Sequence, residues 1–302
     1  MNPTKTEHRD FKSGFVAIIG APNSGKSTLL NRLLGEKISI TSEKPQTTRN
    51  RILGVLHLEK AQCVLMDTPG IHKASNPLNT RIVDTALAAL QDADIILLLA
   101  DATGFDEEAD LGLINILQGQ KKPVVLALNK IDLVKKQHLL SMISRWNSLM
   151  DFKEIIPVSA STGDQVPELI KAMEKLLPQG PPFFPEDSLT DVSERFIVGE
   201  LIREKVFRLT GQEIPYSVAV TVDQFAENAD GSLVKIHATI HVEKESQKGI
   251  VIGKSGAKLK RIGEDARKSM EHLLNTKVFL KLFVRVQKNW SKDTKSLIKF
   301  GY

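Results

Sequence analysis

Between an apolar, strand-like run at Phe15–Ile19 and a helically periodic run at Lys26–Leu34 the chain reads Gly20-Ala21-Pro22-Asn23-Ser24-Gly25-Lys26-Ser27. This is the GxxxxGK[ST] spacing, and it demands a strand, a glycine-rich turn and a helix in that order. Glycines let successive backbone N–H groups close around phosphate oxygens, and the helix N-terminus adds a favourable dipole. Gly20, Pro22, Asn23, Ser24, Gly25, Lys26, Ser27 and Thr28 are therefore the candidate phosphate cradle. Lys26 is expected to reach the β- and γ-phosphates and to carry charge stabilisation in catalysis, and Ser27 Oγ to ligate Mg²⁺.

From Phe15 to Leu177 short apolar runs alternate with amphipathic ones, the pattern of a mostly parallel sheet covered on both faces. Strands are expected at Phe15–Ile19, Ile52–Leu58, Cys63–Asp67, Ile95–Ala100, Pro123–Asn129 and Ile155–Val158. The second and third are too close for a helical crossover and read as an antiparallel hairpin at one edge. Helices fit Lys26–Leu34, Asn79–Leu90, Glu107–Gln118, Gln137–Leu149 and Val166–Leu177.

A phosphate loop alone names neither base nor reaction. Asp67-Thr68-Pro69-Gly70 ends one expected strand, where a carboxylate can hold Mg²⁺ and the Gly70 N–H can meet a γ-phosphate. Asn129-Lys130-Ile131-Asp132 ends another, at the carboxyl edge where open α/β sheets collect ligands. A carboxylate at Asp132 would accept from guanine N1–H and its exocyclic amine, a donor pair that adenine lacks. Ser159-Ala160-Ser161 follows the next strand, with the Ala160 N–H expected to donate to guanine O6.

Pro178, Gly180, Pro181, Pro182 and Pro185 then break the periodicity. The expected division is a nucleotide domain over 1–180, a semi-rigid linker over 181–190, and a smaller α+β domain over 191–302. The last has helical character at Ser193–Leu209 and Lys258–Leu274, and strand character at Tyr216–Phe225, Leu233–Val242 and Val278–Val286.

Charge separates these parts. Residues 191–302 hold 20 Lys/Arg against 14 Asp/Glu, and from Gln247 to Tyr302 the balance is 14 against 4. Such a concentration suits a polyanion partner, though a solvated basic face is the competing reading. Gly249 to Ser255 imitates a second phosphate loop but is one residue too short. Gly253-Lys254-Ser255-Gly256 instead fits the GxxG loop of KH domains, with Ile250, Val251 and Ile252 assigned to groove or core. Ile252, Gly253, Lys254, Ser255, Gly256, Lys258 and Arg261 are the candidate RNA contacts. Trp290 is open to two readings, a base-stacking platform or a buried anchor.

Cys63 is the only cysteine, so no disulfide framework can form within one chain. Met1–Lys12 has no apolar h-region and the longest apolar runs are too short for a bilayer, which makes a cytoplasmic location the expectation.

Taken together, GAPNSGKS, Ile38-Ser39-Ile40-Thr41-Ser42 leading into Pro45-Gln46-Thr47-Thr48-Arg49, DTPG, NKID and the GxxG segment resemble the Era family of bacterial ribosome-assembly GTPases over nearly the whole chain. The resemblance implies an α/β P-loop GTPase domain with a six-stranded sheet, followed by a type II KH domain. It implies GTP/GDP and Mg²⁺ as ligands, and the 3′ end of 16S rRNA and the small ribosomal subunit, not DNA, as partners. A monomer with weak peripheral membrane association completes it. Lys37–Arg51 and Asp67–Asn79 would be the two switch loops. Thr48 would be the second protein ligand of Mg²⁺ beside Ser27 and Asp67, with Thr47 as alternative and an ordinary loop hydroxyl as the competing role. Ile71 stands where Ras-type GTPases carry the glutamine that orients water, which implies slow intrinsic hydrolysis. Related GTPases with Asn at the position of Asn23 use it to hold K⁺, so K⁺ stimulation is also implied. Arg49 and Arg51 read as solvated switch residues or as sources of positive charge. The runner-up function is an RNA-binding scaffold for which GTP is only a structural ligand; a P-loop kinase is disfavoured because NKID would have no role.

Overall fold

The computed structural model describes residues 10–42, 47–70, 77–211, 214 and 217–301. Contacts divide the chain into two compact units, one of residues 1–39, 48–73 and 82–191 and one of residues 40–47, 74–81 and 192–302, each with its own sheet.

The first unit holds β1 (Lys12–Ile19), β2 (Ile52–Leu58), β3 (Ala61–Asp67), β4 (Ile95–Asp101), β5 (Val124–Asn129) and β6 (Glu154–Pro157), in the order β2-β3-β1-β4-β5-β6. Every pair is parallel except β2/β3. Helices α1 (Lys26–Leu34), α3 (Glu107–Gln118), α4 (Lys136–Leu149), α5 (Val166–Leu176) and, from Ile82 onward, α2 (Pro77–Asp92) complete it. β3, β4 and β5 are almost wholly buried because helices cover both faces of a parallel sheet, which is why they read as unbroken apolar runs rather than alternating ones. Asp106 caps α3 by accepting from the Glu108 and Ala109 N–H groups. Cys63 is a core residue whose thiol burial pushes up to about 12, so it is an inert packing group. The chain leaves β1 toward β3 on one side and β4 on the other, so the loop after Ile19 opens at the topological switch point.

Residues 181–190, expected as a linker, are bound along the edge strand. Val55 N–H donates to Leu189 O (2.8 Å), Thr190 Oγ1 to Leu53 O (2.6 Å), and buried Gln62 accepts from Phe183 and Phe184 N–H while donating to Phe184 O. This occupies polar groups that β2 would otherwise present to a foreign strand.

The second unit contains α6 (Glu194–Leu209), β7 (Ala219–Glu227), β8 (Leu233–Val242), α7 (Glu245–Ile252), α8 (Ala257–Leu274), β9 (Lys277–Val286) and α9 (Thr294–Lys299). Sheet order is β7-β8-β9, antiparallel then parallel. The expected strand at Tyr216–Phe225 begins at Ala219, with Tyr216 outside the described residues. Helix α7 is a correction, since sequence order placed nothing between β8 and the GxxG loop. Gly249 and β-branched Ile250-Val251-Ile252 argue against helix locally, but Val251 is fully buried and Gln247 Oε1 accepts from Glu243 and Lys244 N–H (2.8 and 3.0 Å) at its start. Trp290 proves to be a buried anchor, its Nε1–H donating to Ser217 O (3.1 Å) and its ring 5.2 Å from that of Phe300.

Candidate nucleotide site and nucleic-acid interface

The nucleotide loop is held by side chains drawn from the carboxyl ends of neighbouring strands. Gly25 precedes α1 at φ 101°, and a Cβ there would strike the Asn129 amide. That amide donates to Ser24 O (2.7 Å), while Asn129 Oδ1 accepts from the Ala160 N–H (2.9 Å). Asn129 thus ties the phosphate loop to the Ser159 loop, and the N–H expected to face guanine O6 is engaged within the chain. Gly70 approaches the loop so closely that a Cβ would lie 3.0 Å from Pro22 N. Asn23 is exposed at φ 63°, and Thr28 is half-buried in the first turn of α1.

Lys26 is buried and donates to Gly20 O (3.0 Å) and Ala21 O (2.8 Å). Burial pushes its ammonium down to about 8 against the opposing pull of Asp67. Ser27 Oγ lies 2.8 Å from Thr48 Oγ1 and donates to Asp67 Oδ2 (2.8 Å), to which Ser39 Oγ also donates (2.8 Å). Burial raises the Asp67 carboxyl, opposed by Ser39, Ser27, Lys26 and Thr48. Asp67 Oδ1 is buried with no hydrogen-bond partner among the described residues.

One carboxylate with an uncommitted oxygen and two touching hydroxyls form a hard-oxygen set that fits Mg²⁺, which takes few protein ligands beside substrate phosphates. No cluster of three or more His, Cys, Asp or Glu suited to a metal occurs among the described residues. Ile71 lies outside those residues. Arg49, expected as solvated, is buried at 3% exposure, whereas Arg51 pairs at the surface with Asp92 (3.3 Å).

At the base-recognition end, Lys130 adopts φ 69° and pairs with Asp101 Oδ2 (2.5 Å). Burial would raise Asp101, but hydrogen bonds from Lys130 and Thr103 outweigh it and hold the carboxylate low. Asp132 is exposed in the short 3₁₀ turn Ile131–Leu133, not buried as its expected role assumed. The unpaired-carboxylate penalty therefore applies only beneath a bound base. Ser159 is buried, its Oγ accepting from Thr162 N–H (3.1 Å). Asp101 and Arg32, which donates to Ala160 O (3.2 Å), are supports that the motifs did not reveal.

In the second unit Gly253 (φ 72°), Ser255 (φ 50°) and Gly256 (φ 80°) turn the chain between α7 and α8. A Cβ on Gly253 would sit 2.7 Å from Lys258 Cβ, and Lys254 and Ser255 are exposed. Beside the loop a cavity of about 500 Å³ runs between α8 and β9, lined by Gly256, Leu259, Lys260, Gly263, Glu264, Arg267 and 278–282. Lys260 and Arg267 of α8 and Lys281 of β9 are the basic groove residues. Arg261 is exposed near Asp265 (3.9 Å), Lys258 and Ile252 are half-buried, and none of these three lines the cavity. Helical phase separates the two basic sets, and that phase required the start of α8.

Two family descriptions match the chain: "50S ribosome-binding GTPase" over residues 15–130 and "KH domain" over 213–291. GTPase Era of Geotalea uraniireducens is 56% identical over 294 residues, 97% of this chain and 99% of that protein. GTPase Era of Geobacter metallireducens is 56% identical over 292 residues, covering 97% and 98%. Among solved structures, Era in complex with MgGDPNP and nucleotides 1506–1542 of 16S ribosomal RNA superposes with TM-score 0.93 at 39% identity, over 97% of this chain and 99% of that one. A point variant of Aquifex aeolicus Era bound to GDP·AlF₄⁻ gives the same TM-score, 0.93, at 39% identity and the same coverage.

Proposed function

We propose, from the premise that this chain belongs to the Era family of GTPases, that it is a GTP-driven switch that binds 16S ribosomal RNA near its 3′ end and acts in small-subunit assembly. The enzyme is a GTPase. One observation carries the reading: Lys26, Ser27, Thr48 and Asp67 converge at the switch point of the first sheet, while a GxxG loop borders a basic groove in the second unit. The description naming the 50S particle spans residues 15–130 only, and the near-full-length likeness to Era solved with a 16S ribosomal RNA fragment favours the small subunit.

Catalysis here is positioning and charge stabilisation. Ser27, Thr48 and Asp67 would hold Mg²⁺, which would supply neutralisation of the negative charge that develops on the phosphates. Lys26 exchanges its two carbonyl acceptors for phosphate oxygens, and Gly70 N–H meets the γ-phosphate. Asn129 braces the loop against the base pocket, Asp132 takes the guanine donors, and Lys130, fixed by Asp101, flanks the base. Asn23, exposed at the loop tip, is the residue we assign to K⁺. The family resemblance supports action as a cytoplasmic monomer with weak peripheral contact to the inner membrane. Among the described residues no helix is long and apolar enough to cross a membrane.

The test is single-turnover GTP hydrolysis with and without a 16S 3′-end RNA, in the parent and in K254D/S255D. RNA is expected to change the parent's rate and not the variant's, whose basal rate stays intact. A parent rate indifferent to RNA would instead favour the scaffold reading.

A further inference from the structure

Strand β9 presents two faces, and the fold uses one of them. Val278 is buried and Leu280 and Leu282 half-buried on the side of α8, where a Cβ on Gly263 would lie 3.6 Å from Leu282 Cδ1. The alternate residues Lys277, Phe279, Lys281, Phe283 and Arg285 are all exposed, with Phe279 at 51% and Phe283 at 46%. Large aromatic rings left in water on a regular strand call for an occupant.

The register sets Lys235, His237 and Thr239 of β8 beside Phe279, Lys281 and Phe283. The His237 ring meets that of Phe279 edge-on at 6.4 Å, and Lys281 Nζ lies 5.2 Å from the Phe283 ring centre. Farther along the same face the C-terminal segment closes the sheet, with Phe300 4.6 Å from the His241 ring. That cover stops short of Phe279. Neither β8 nor β9 contains a carboxylate, and Asp223 on β7 is occupied by Thr221 and Thr239 hydroxyls (3.1 and 2.6 Å).

We infer that this outer face of β8 and β9 is a second RNA-contacting surface, taking unpaired nucleotides of the same strand that the Gly253–Gly256 loop clamps. Bases stack on Phe279 and Phe283, and Lys277, Lys281 and Arg285 draw in the phosphates. Aromatic rings alternating with cations are what a sequence-tolerant single-strand platform requires. The two phenylalanines are four strand residues apart, roughly 13 Å, so they address separate bases. Continuity is the second argument. β9 is an edge strand, and its residues 278–282 also line the groove beside α8. An RNA chain leaving that groove crosses one strand edge to reach the rings. A lipid surface is the lesser match, because the rings lie within a sheet flanked by cations rather than forming a continuous apolar stripe.

The inference rests on reading the GxxG loop as an RNA clamp, and the experiment separates the two. Binding of two single-stranded RNAs to the full chain is measured, one of four nucleotides, the span of the clamp, and one about three times as long. F279A/F283A is expected to weaken the longer RNA roughly tenfold or more, and F283A, outside the groove lining, to weaken the longer RNA severalfold and leave the short one unchanged. The ring-retaining F279Y/F283Y should bind both like the parent, and GTP hydrolysis in all these variants serves as the folding control. Ultraviolet crosslinking should join the longer RNA to the peptide carrying Phe279 and Phe283. Undiminished affinity of F279A/F283A for the longer RNA, with no such crosslink, would overturn the proposal. So would loss of binding to phosphatidylserine vesicles with RNA affinity retained, which assigns the face to lipid. If K254D/S255D holds both RNAs as tightly as the parent, the clamp reading fails, while the alanine variant and the crosslink still decide the face.

Discussion

Both units carry a glycine-rich loop ahead of a helix, yet they are prepared for phosphate in opposite ways. Around Gly20–Ser27 several side chains are buried or half-buried and held by the chain itself: Lys26 on two carbonyls, Ser27 between Thr48 and Asp67, Asn129 between Ser24 and Ala160. At Gly253–Gly256 the side chains of Lys254 and Ser255 are exposed, and the adjoining groove is open. The first arrangement fixes geometry before a ligand arrives, as a reaction governed by positioning requires. The second suits a ligand held by backbone approach and charge, where neighbouring nucleotides share the work.

The largest effect that would sharpen this contrast comes from Lys26→Ala. Removing a preorganised cation should slow GTP hydrolysis by about 10²-fold or more, with RNA affinity unchanged, as read by single-turnover kinetics and RNA titration. A modest loss would show that the cradle does not depend on its lysine.

Two glycines come next. Gly25→Ala must both adopt φ 101° and displace the Asn129 amide, so it should cost about 1–3 kcal/mol or more in chemical denaturation. Gly256→Ala meets only the strain of φ 80°, since a Cβ there reaches nothing within 4 Å, and about 1 kcal/mol is expected. Equal costs would erase the distinction between a closed loop and an open one.

A smaller effect follows pH. With Lys26 held down to about 8 by burial, the folded chain binds that proton less tightly than the unfolded chain does. This group's contribution to ligand-free stability therefore rises with pH between about 8 and its ordinary 10.5. GTP affinity moves the other way, falling by up to about tenfold per pH unit once pH rises above about 8. Isothermal titration at neutral and alkaline pH checks it, and a flat profile would contradict the buried, proton-dependent lysine.

The smallest effect distinguishes the groove. Lys260→Ala or Arg267→Ala should weaken RNA binding severalfold and reduce the salt slope by about 1. Arg261→Ala, outside the groove, should do less. Reversal of that order would restore the contacts expected from sequence.

What sequence revealed divides along the same line. Nucleotide-loop chemistry was legible because each group must stand at a fixed place relative to a strand end; GxxxxGK[ST], DTPG and NKID all fall where β1, β3 and β5 finish. Helices α1 and α3 begin and end where periodicity placed them. Tertiary supports stayed hidden, because Arg32 reaching Ala160 and Asp101 holding Lys130 join residues far apart in sequence and carry no local pattern. In the second unit, burial of Val251 overrode the extended preference of its neighbours and created α7, and only the register of α8 could show that Lys260, not Lys258 or Arg261, lines the groove.

We assign guanine selectivity in the first unit to Asp132, and nucleotide exchange in Asp132→Asn tests that assignment. An amide there presents a donor to the 2-oxo group of xanthine, so GTP affinity should fall by about 10²-fold or more while xanthosine triphosphate binds and is hydrolysed. Undiminished GTP affinity in Asp132→Asn, with no gain for the xanthine nucleotide, would contradict it.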